Sequence, residues 1–497
     1  MRERITYVQK IGHSVEPSAV KVDKNVITGP EVQAAREDRL TFGLDELPDG
    51  LHSFLEGLHE LHIRWVSPKP YEAVSPLLAR LPPGFHLFFT PGKKVDADST
   101  KLCVNLHKIF GRIIICSTPK NSFTALPSDR FSHTTAYQYY HQLDDLSAFV
   151  DYVEGQLCSP HDTACSSRVA KLRDASSLDV SYDTISHALR VTATWPYQSQ
   201  TIQAAAHPRF RTEVGILSDD KPATIEPHEL GISGLLTILG QDSQPSPTLF
   251  TFPSRHRDAE STFSAKFLLP TGLHPTLQLR LQSNKPPLDD AQCSPHAYLT
   301  LENSIFPDKY QLSDPLFLAS KNLTALRYAS SPIDLEAPDY VLKTWGSSVL
   351  LELHPPPLSE TPQEWTAEIP LHLRYSFPTF NGYTDIKVPY PAVFWACTAE
   401  EGTKFPTNPF ERVNLGYDGL FGPRTVFWHV EPAPEAGGQL INTVRVPVLS
   451  LDGAEWVNIG TAAVVLLGFG WVFWKLLTVA FRGAPRKGIV EGEKKRQ

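Results

Sequence analysis

Apolar and polar positions alternate along the C-terminal half of the chain. Leu277, Leu279 and Leu281 are separated by polar residues, and so are Ala297, Leu299 and Leu301, and then Val349, Leu351 and Leu353. Ile369, Leu371, Leu373, Tyr375 and Phe377 make the longest alternation, and Val444, Val446 and Val448 the last. Ala392–Ala396 is apolar throughout, as a central strand covered on both faces would be. Short period-two runs with Pro, Asn and Gly in the breaks predict an antiparallel β-sandwich over 262–451. Upstream, 1–260 is mixed. Ile5–Val8, Val20–Val22 and Leu189–Trp195 alternate, while Phe85–Phe89 and Ile109–Cys116 are apolar runs of strand length. Leu51–Ile63 and Leu143–Leu157 carry helical stripes, and Gln241–His256, with Pro245, Pro247 and Pro253, has linker composition. No repeat of solenoid period is present. The expected fold is mainly β: a β-rich α+β region, then a sandwich, then one membrane helix.

That helix is predicted over Ile459–Phe481, where the one charge is Lys475. At about 1.5 Å per residue it is roughly 34 Å long, enough for a hydrocarbon core of about 30 Å. A buried core helix rarely stays apolar on every face for so long. Trp456, Trp471 and Trp474 suit interfacial ends, and Lys475 is close enough to the C-terminal end to snorkel. Gly468 and Gly470 permit close approach of another helix without forming GxxxG; with Lys475 they are the candidate partner-helix contacts.

The tail 482–497 holds Arg482, Arg486, Lys487, Lys494, Lys495 and Arg496 against Glu491 and Glu493. The positive-inside rule then places the tail in the cytoplasm and the body in a lumen or outside. A basic tail after the span also argues against a GPI-attachment signal. The first forty residues hold no apolar signal-peptide core, a pattern shared with cytosolic tail-anchored proteins. Net charge is −8, and with the tail basic the body is more acidic still, which argues against nucleic acid. Forty-three prolines and one methionine fit a loop-rich β body.

Candidate chemistry is sparse. Asn322-Leu323-Thr324 is the N-x-S/T sequon, making Asn322 the candidate glycosylation site. The six cysteines are compatible with disulfides and equally with free thiols. Cys293 opens one strand run and Cys397 closes another, so these two are the candidate bridge, with Cys103 and Cys116 next. Cys158 and Cys165 match no common zinc spacing and read as a local disulfide or two thiols. P-loop, GxSxG, HExxH and dinucleotide glycine patterns are absent. Asp96-Ala-Asp98 has the D-x-D form used to hold a metal-bound sugar nucleotide, but in a Lys/Asp/Ser-rich stretch it reads as a solvated turn. The pairs Asp144-Asp145, Asp219-Asp220 and Asp289-Asp290 read as turns or helix faces. No residue is assigned to catalysis, a cofactor or a metal.

Several segments carry a family resemblance: His274–Leu279, His296–Leu301, Phe306–Leu312, Asp334–Pro338, Leu371–Tyr375 and Val388–Cys397, followed by the span. The block from about 262 to 480 resembles the PIG-X family, the small subunit of GPI mannosyltransferase I, in its longer fungal form. The resemblance implies a single-pass endoplasmic reticulum glycoprotein with a lumenal body and a non-catalytic role. It implies a polytopic catalytic mannosyltransferase subunit (PIG-M type) as partner, which this chain binds and stabilises. That partner adds the first mannose, from dolichol-phosphate-mannose, to the acylated GlcN-PI precursor. Bilayer lipid is the other implied contact, with no cofactor and no small-molecule substrate of the chain's own. The animal members' cleavable signal peptide has no counterpart here. Three other readings stand beside this one: a general folding or quality-control factor of the endoplasmic reticulum, an enzyme using Asp96 and Asp98, and a cytosolic tail-anchored adaptor. Because the motifs lie after residue 262, the fragment 262–497 is expected to carry the partner contact by itself.

Overall fold

The computed structural model describes residues 1–92, 100–127, 136–159, 161–207, 211–221, 225–226, 228–289, 292–330, 334–358, 361–410 and 415–481. Asp96, Asp98, Asp290 and the basic tail lie outside the described residues. The chain divides into two compact units: Met1–Tyr375 with Ile386–Val444, and Ser376–Asp385 with the segment from Arg445 onward.

The first unit is built on two sheets. One has twelve strands. Its order runs Ser246–Pro253, Glu229–Ile238, Arg211–Asp220, Arg2–Gln9, Val26–Gly43, Ala188–Ala205, Ser177–Asp183, Leu58–Val66, Gly84–Pro91, Tyr137–His141 and Thr124–Ala125, with Lys21–Asp23 paired to Val26–Gly43. Arg2–Gln9 runs parallel to Arg211–Asp220. Helices Lys101–Phe110 and Ser147–Leu157 bury Leu106, Phe110, Phe149 and Val150 in the core beneath Leu58–Val66 and Gly84–Pro91. The second sheet has eight strands, in the order Leu323–Ala329, Gly346–Leu353, Cys293–Glu302, Ala392–Thr398, Thr425–Pro432, His256–Phe267, Thr276–Leu281 and Trp365–Pro370. The mainly β reading holds, and pairing in this sheet is antiparallel except where His256–Phe267 meets Thr425–Pro432 in parallel. Ala392–Cys397 is buried residue by residue, as the continuous apolar run requires.

Local expectations fail at four places, each for a physical reason. Leu51–Ile63 is not one helix: Asp49–Leu55 is helical, and Leu58–Val66 is a strand buried on both faces. Leu61, Ile63 and Trp65 alternate with His62 and Arg64, but Leu51, Phe54, Leu55, Leu58 and Leu61 also fit a helical stripe that overlaps the start of the strand. Ile109–Cys116 is no strand. The helix Lys101–Phe110 stops at Gly111, whose φ of +89° suits glycine, and a Cys103–Cys116 disulfide ties the following loop back to it. Gln241–His256 is not a linker; Ser246–Pro253 is an edge strand, where prolines cost no ladder hydrogen bond. The run Ile369–Phe377 is not one long strand. It breaks after Pro370, and Tyr375 and Phe377 are 72% and 64% exposed.

The two sheets share a core. Val66 and Leu81 pack into one cluster with Tyr298, Leu350, Phe394, Tyr417 and Phe427. Gln138, fully buried, bridges the sheets: its Nε2 donates to Tyr298 Oη at 2.9 Å, and Ser348 Oγ donates to its Oε1 at 3.1 Å. Trp345 Nε1 donates to the Gln138 carbonyl at 2.9 Å, and Tyr417 Oη to the Arg80 carbonyl at 3.0 Å. A fragment beginning at 262 would bare this apolar seam and orphan its hydroxyls, which weighs against the expectation that 262–497 acts alone.

Candidate membrane anchor and partner-binding surface

The second unit is organised by one helix, Leu451–Phe481, 31 residues long and about 46 Å at 1.5 Å per residue. Its apolar side chains, from Val464 to Phe481, are exposed on all sides. Water cannot be the solvent for such a surface, so the helix needs lipid or other helices around it. Trp456 and Trp474 stand about 27 Å apart along the axis, close to the thickness of a hydrocarbon core. Lys475 Nζ lies 5.0 Å from the Trp471 ring centre and 5.4 Å from that of Trp474, so lysine and indoles form one cluster near the helix end. A Cβ built on Gly468 or Gly470 meets nothing within 4 Å, which leaves both faces open to a neighbouring helix.

Just before the helix, the turn Ser376–Asp385 is hydrogen-bonded to the chain entering the span. Thr379 N donates to Leu449 O and Leu451 N donates to Thr379 O, both at 3.0 Å. Val448 N donates to Gly382 O at 2.9 Å, and Gly382 turns the chain with φ +70°. Thr379 Oγ1 donates to Asn381 Oδ1 at 3.0 Å, and Tyr383 N donates to the same oxygen at 3.2 Å, which stiffens the turn.

In the first unit, segments that carry the family resemblance converge on Arg374. Its guanidinium stacks 4.1 Å over the Phe306 ring, and Nη1 donates to Ala337 O at 2.8 Å. Asp334 shapes the turn that presents Ala337: its Oδ1 accepts from Glu336 N and Ala337 N at 2.9 and 3.1 Å. These bonds hold the Asp334 carboxyl below the usual carboxylate range, while burial pulls the Arg374 guanidinium down from its ordinary value. Phe306 pairs with His372, whose Nδ1 lies 3.2 Å from His274 Nδ1 and whose Nε2 lies 3.2 Å from Gln311 Oε1. Burial, and then the neighbouring His274, lower the His372 pKa and favour neutral imidazole. Among the described residues no group of three His, Cys, Asp or Glu is placed to hold a metal ion. The cluster fixes loops rather than arranging reactive groups around a cleft. Beside it, Asp339 N donates to Tyr375 O at 3.0 Å, and Tyr340, Val341 and Tyr375 are exposed together with this pairing. An exposed aromatic and aliphatic surface of this kind suits a protein partner.

The remaining sequence candidates are dispersed. Cys293 and Cys397 face each other in register and form a disulfide, as do Cys103 with Cys116 and Cys158 with Cys165. All six cysteines are paired, which points to an oxidising, secretory or lumenal compartment. Asn322 is exposed at the start of Leu323–Ala329 with φ +54°, and its Nδ2 donates to Thr366 O at 2.7 Å. Thr324 is exposed beside it. Sequence reasoning missed the Arg374 cluster and the turn before the span. The Leu371–Tyr375 and Asp334–Pro338 segments were visible, but their meeting is a long-range contact. The exposed Phe377 was hidden by an alternation that mimics a strand.

The comparisons agree on one family. A family model described as PIG-X / PBN1 matches residues 270–477. Protein pbn1 of Neurospora crassa is 63% identical over 96% of this chain and 95% of its own length. Protein PBN1 of Gibberella zeae is 46% identical over 100% of this chain and 99% of its own, and protein pbn1 of Emericella nidulans 44% identical over 97% and 96%. These similarities extend through the N-terminal sheet as well as the block that carries the motifs.

Proposed function

The chain belongs to the PIG-X/PBN1 family, and on that premise we propose that it is the non-catalytic accessory subunit of GPI mannosyltransferase I. Family membership ties it to GPI-anchor biosynthesis. In the proposed role it binds and stabilises the polytopic catalytic subunit that adds the first mannose to acylated GlcN-PI. The observation that carries this reading is the pairing of one fully exposed apolar helix with a body whose resemblance-bearing segments meet beneath an exposed aromatic surface. The helix offers van der Waals contact at Gly468 and Gly470, where lipid gives helices no hydrophobic drive to associate. Tyr340, Val341 and Tyr375 offer the body's contact with the partner's lumenal loops. The disulfides support a lumenal body, and the basic tail supports a cytoplasmic C-terminus in the endoplasmic reticulum membrane.

Depletion tests the reading. Loss of this chain is expected to stop GPI precursors at the unmannosylated, acylated GlcN-PI stage while unrelated secretory proteins still mature. Broad maturation defects that precede any GPI defect would replace it with a general folding factor.

A further inference from the structure

We propose that the turn Ser376–Asp385 is a second membrane element, a lipid-facing aromatic anchor seated in the headgroup layer where the span begins. The turn cannot vary its depth independently of the span. Thr379 bonds to Leu449 on one side and Leu451 on the other, in a parallel bridge centred on Ser450, so it sits level with the first turn of the helix. Depth along the helix then follows from the tryptophans. Taking Trp456 and Trp474, about 27 Å apart, as the interfacial ends sets the core about five residues N-terminal of the middle of the apolar run Ile459–Phe481, and a core of about 30 Å centred between the tryptophans ends just beyond Trp456. Leu451 is five residues earlier, about 7.5 Å along the axis, and so about 6 Å outside the hydrocarbon. The headgroup layer on each side is about 5–8 Å thick. The turn therefore lies within that layer.

Its side chains match the location. Phe380 is 85% exposed, and Tyr383 is half exposed with the Arg445 guanidinium 4.6 Å over its ring. Phe377 is exposed on the other arm of the turn. A phenylalanine that open to water gains nothing there, but at the acyl–headgroup boundary it is in its preferred setting. Arg445, stacked on Tyr383, supplies the cation that lipid phosphates attract. Leu449, Leu451 and Trp456 are exposed as well, on the stretch that leads into the span. The occupant is thus phospholipid at the bilayer interface, and the inference stands independently of the mannosyltransferase reading.

The test is photocrosslinking of the full chain in native membranes. A benzophenone amino acid replaces Phe380, an exposed site where it disturbs no packing, with Leu466 in the span as the positive control. Position 380 is expected to give phospholipid adducts on irradiation, as Leu466 does, and Phe377→Glu should diminish them. Lipid adducts at 466 with solely protein adducts, or none, at 380 would overturn the proposal while leaving the span intact.

Discussion

Replacing Gln138 tests how the two sheets of the body are joined. The side chain is fully buried and makes two hydrogen bonds across the sheets, to Tyr298 Oη at 2.9 Å and from Ser348 Oγ at 3.1 Å. Tyr298 and Ser348 are themselves fully buried, so water cannot replace the lost partner. Each bond contributes about 1 kcal/mol, and a buried hydroxyl left without its partner costs about 1–3 kcal/mol. Gln138→Ala also leaves a void, so a total of about 3–5 kcal/mol is expected. Gln138→Met keeps the volume and should cost about 2–3 kcal/mol. For a cooperative unit of this size, with about 2.1 cal/mol/K of unfolding entropy per residue, the alanine variant should lower the midpoint by about 3–6 °C. Calorimetry of the detergent-purified full chain reads this out, and one transition should move as a whole. Two separate transitions, with one alone shifted, would refute the shared core. So would an unchanged midpoint.

The other predictions concern oxidation, acid and glycan. Cys293→Ser should destabilise the second sheet by about 3–5 kcal/mol, because the bridge closes a loop of 104 residues in sequence; thermal unfolding of the variant against the oxidised wild type checks it. Acidification should destabilise the body between pH 6.5 and about 4. Burial lowers the His86 and His296 pKa values to about 4 and holds His429 well below the usual imidazole range. The unfolded chain binds these protons first, so the stability present above pH 6.5 falls as pH drops, by about 2 kcal/mol at pH 5 for each of His86 and His296. Asp38, Asp219 and Glu431, raised by burial, push the other way, so melting curves from pH 7 to 5 of the wild type against a His86→Gln, His296→Gln variant separate the histidines' loss from the carboxylates' gain. Asn322→Gln should abolish an endoglycosidase-sensitive mobility shift; a shift that persists in the variant, or is absent from the wild type, would remove the proposed glycan.

Where burial is one-sided, the sequence was readable. Leu277, Leu279 and Leu281 alternate because Thr276–Leu281 has one face in the core, and the span announces itself because Ile459–Phe481 holds a single charge, Lys475. Legibility failed where burial is two-sided, as in Leu58–Val66, whose His62 and Arg64 are also buried, with Arg64 bonded to Asp179 at 2.5 Å. It failed too where apolar residues are exposed, as at Tyr375 and Phe377. The periodicity there belongs to a surface. The Arg374 cluster and the Gln138 bridge join residues far apart in the chain, and no local pattern announces such pairs. The resemblance-bearing segments hinted at the first, and nothing hinted at the second.

In the proposed role this chain keeps the catalytic mannosyltransferase subunit intact. The most direct measurement is the half-life of that subunit, and its co-elution with this chain, in membranes before and after the chain is depleted. The two are expected to co-elute from mild detergent, and depletion to shorten the catalytic subunit's half-life before mannosylation of acylated GlcN-PI fails. A catalytic subunit that elutes apart, and stays stable and active after depletion, would contradict it.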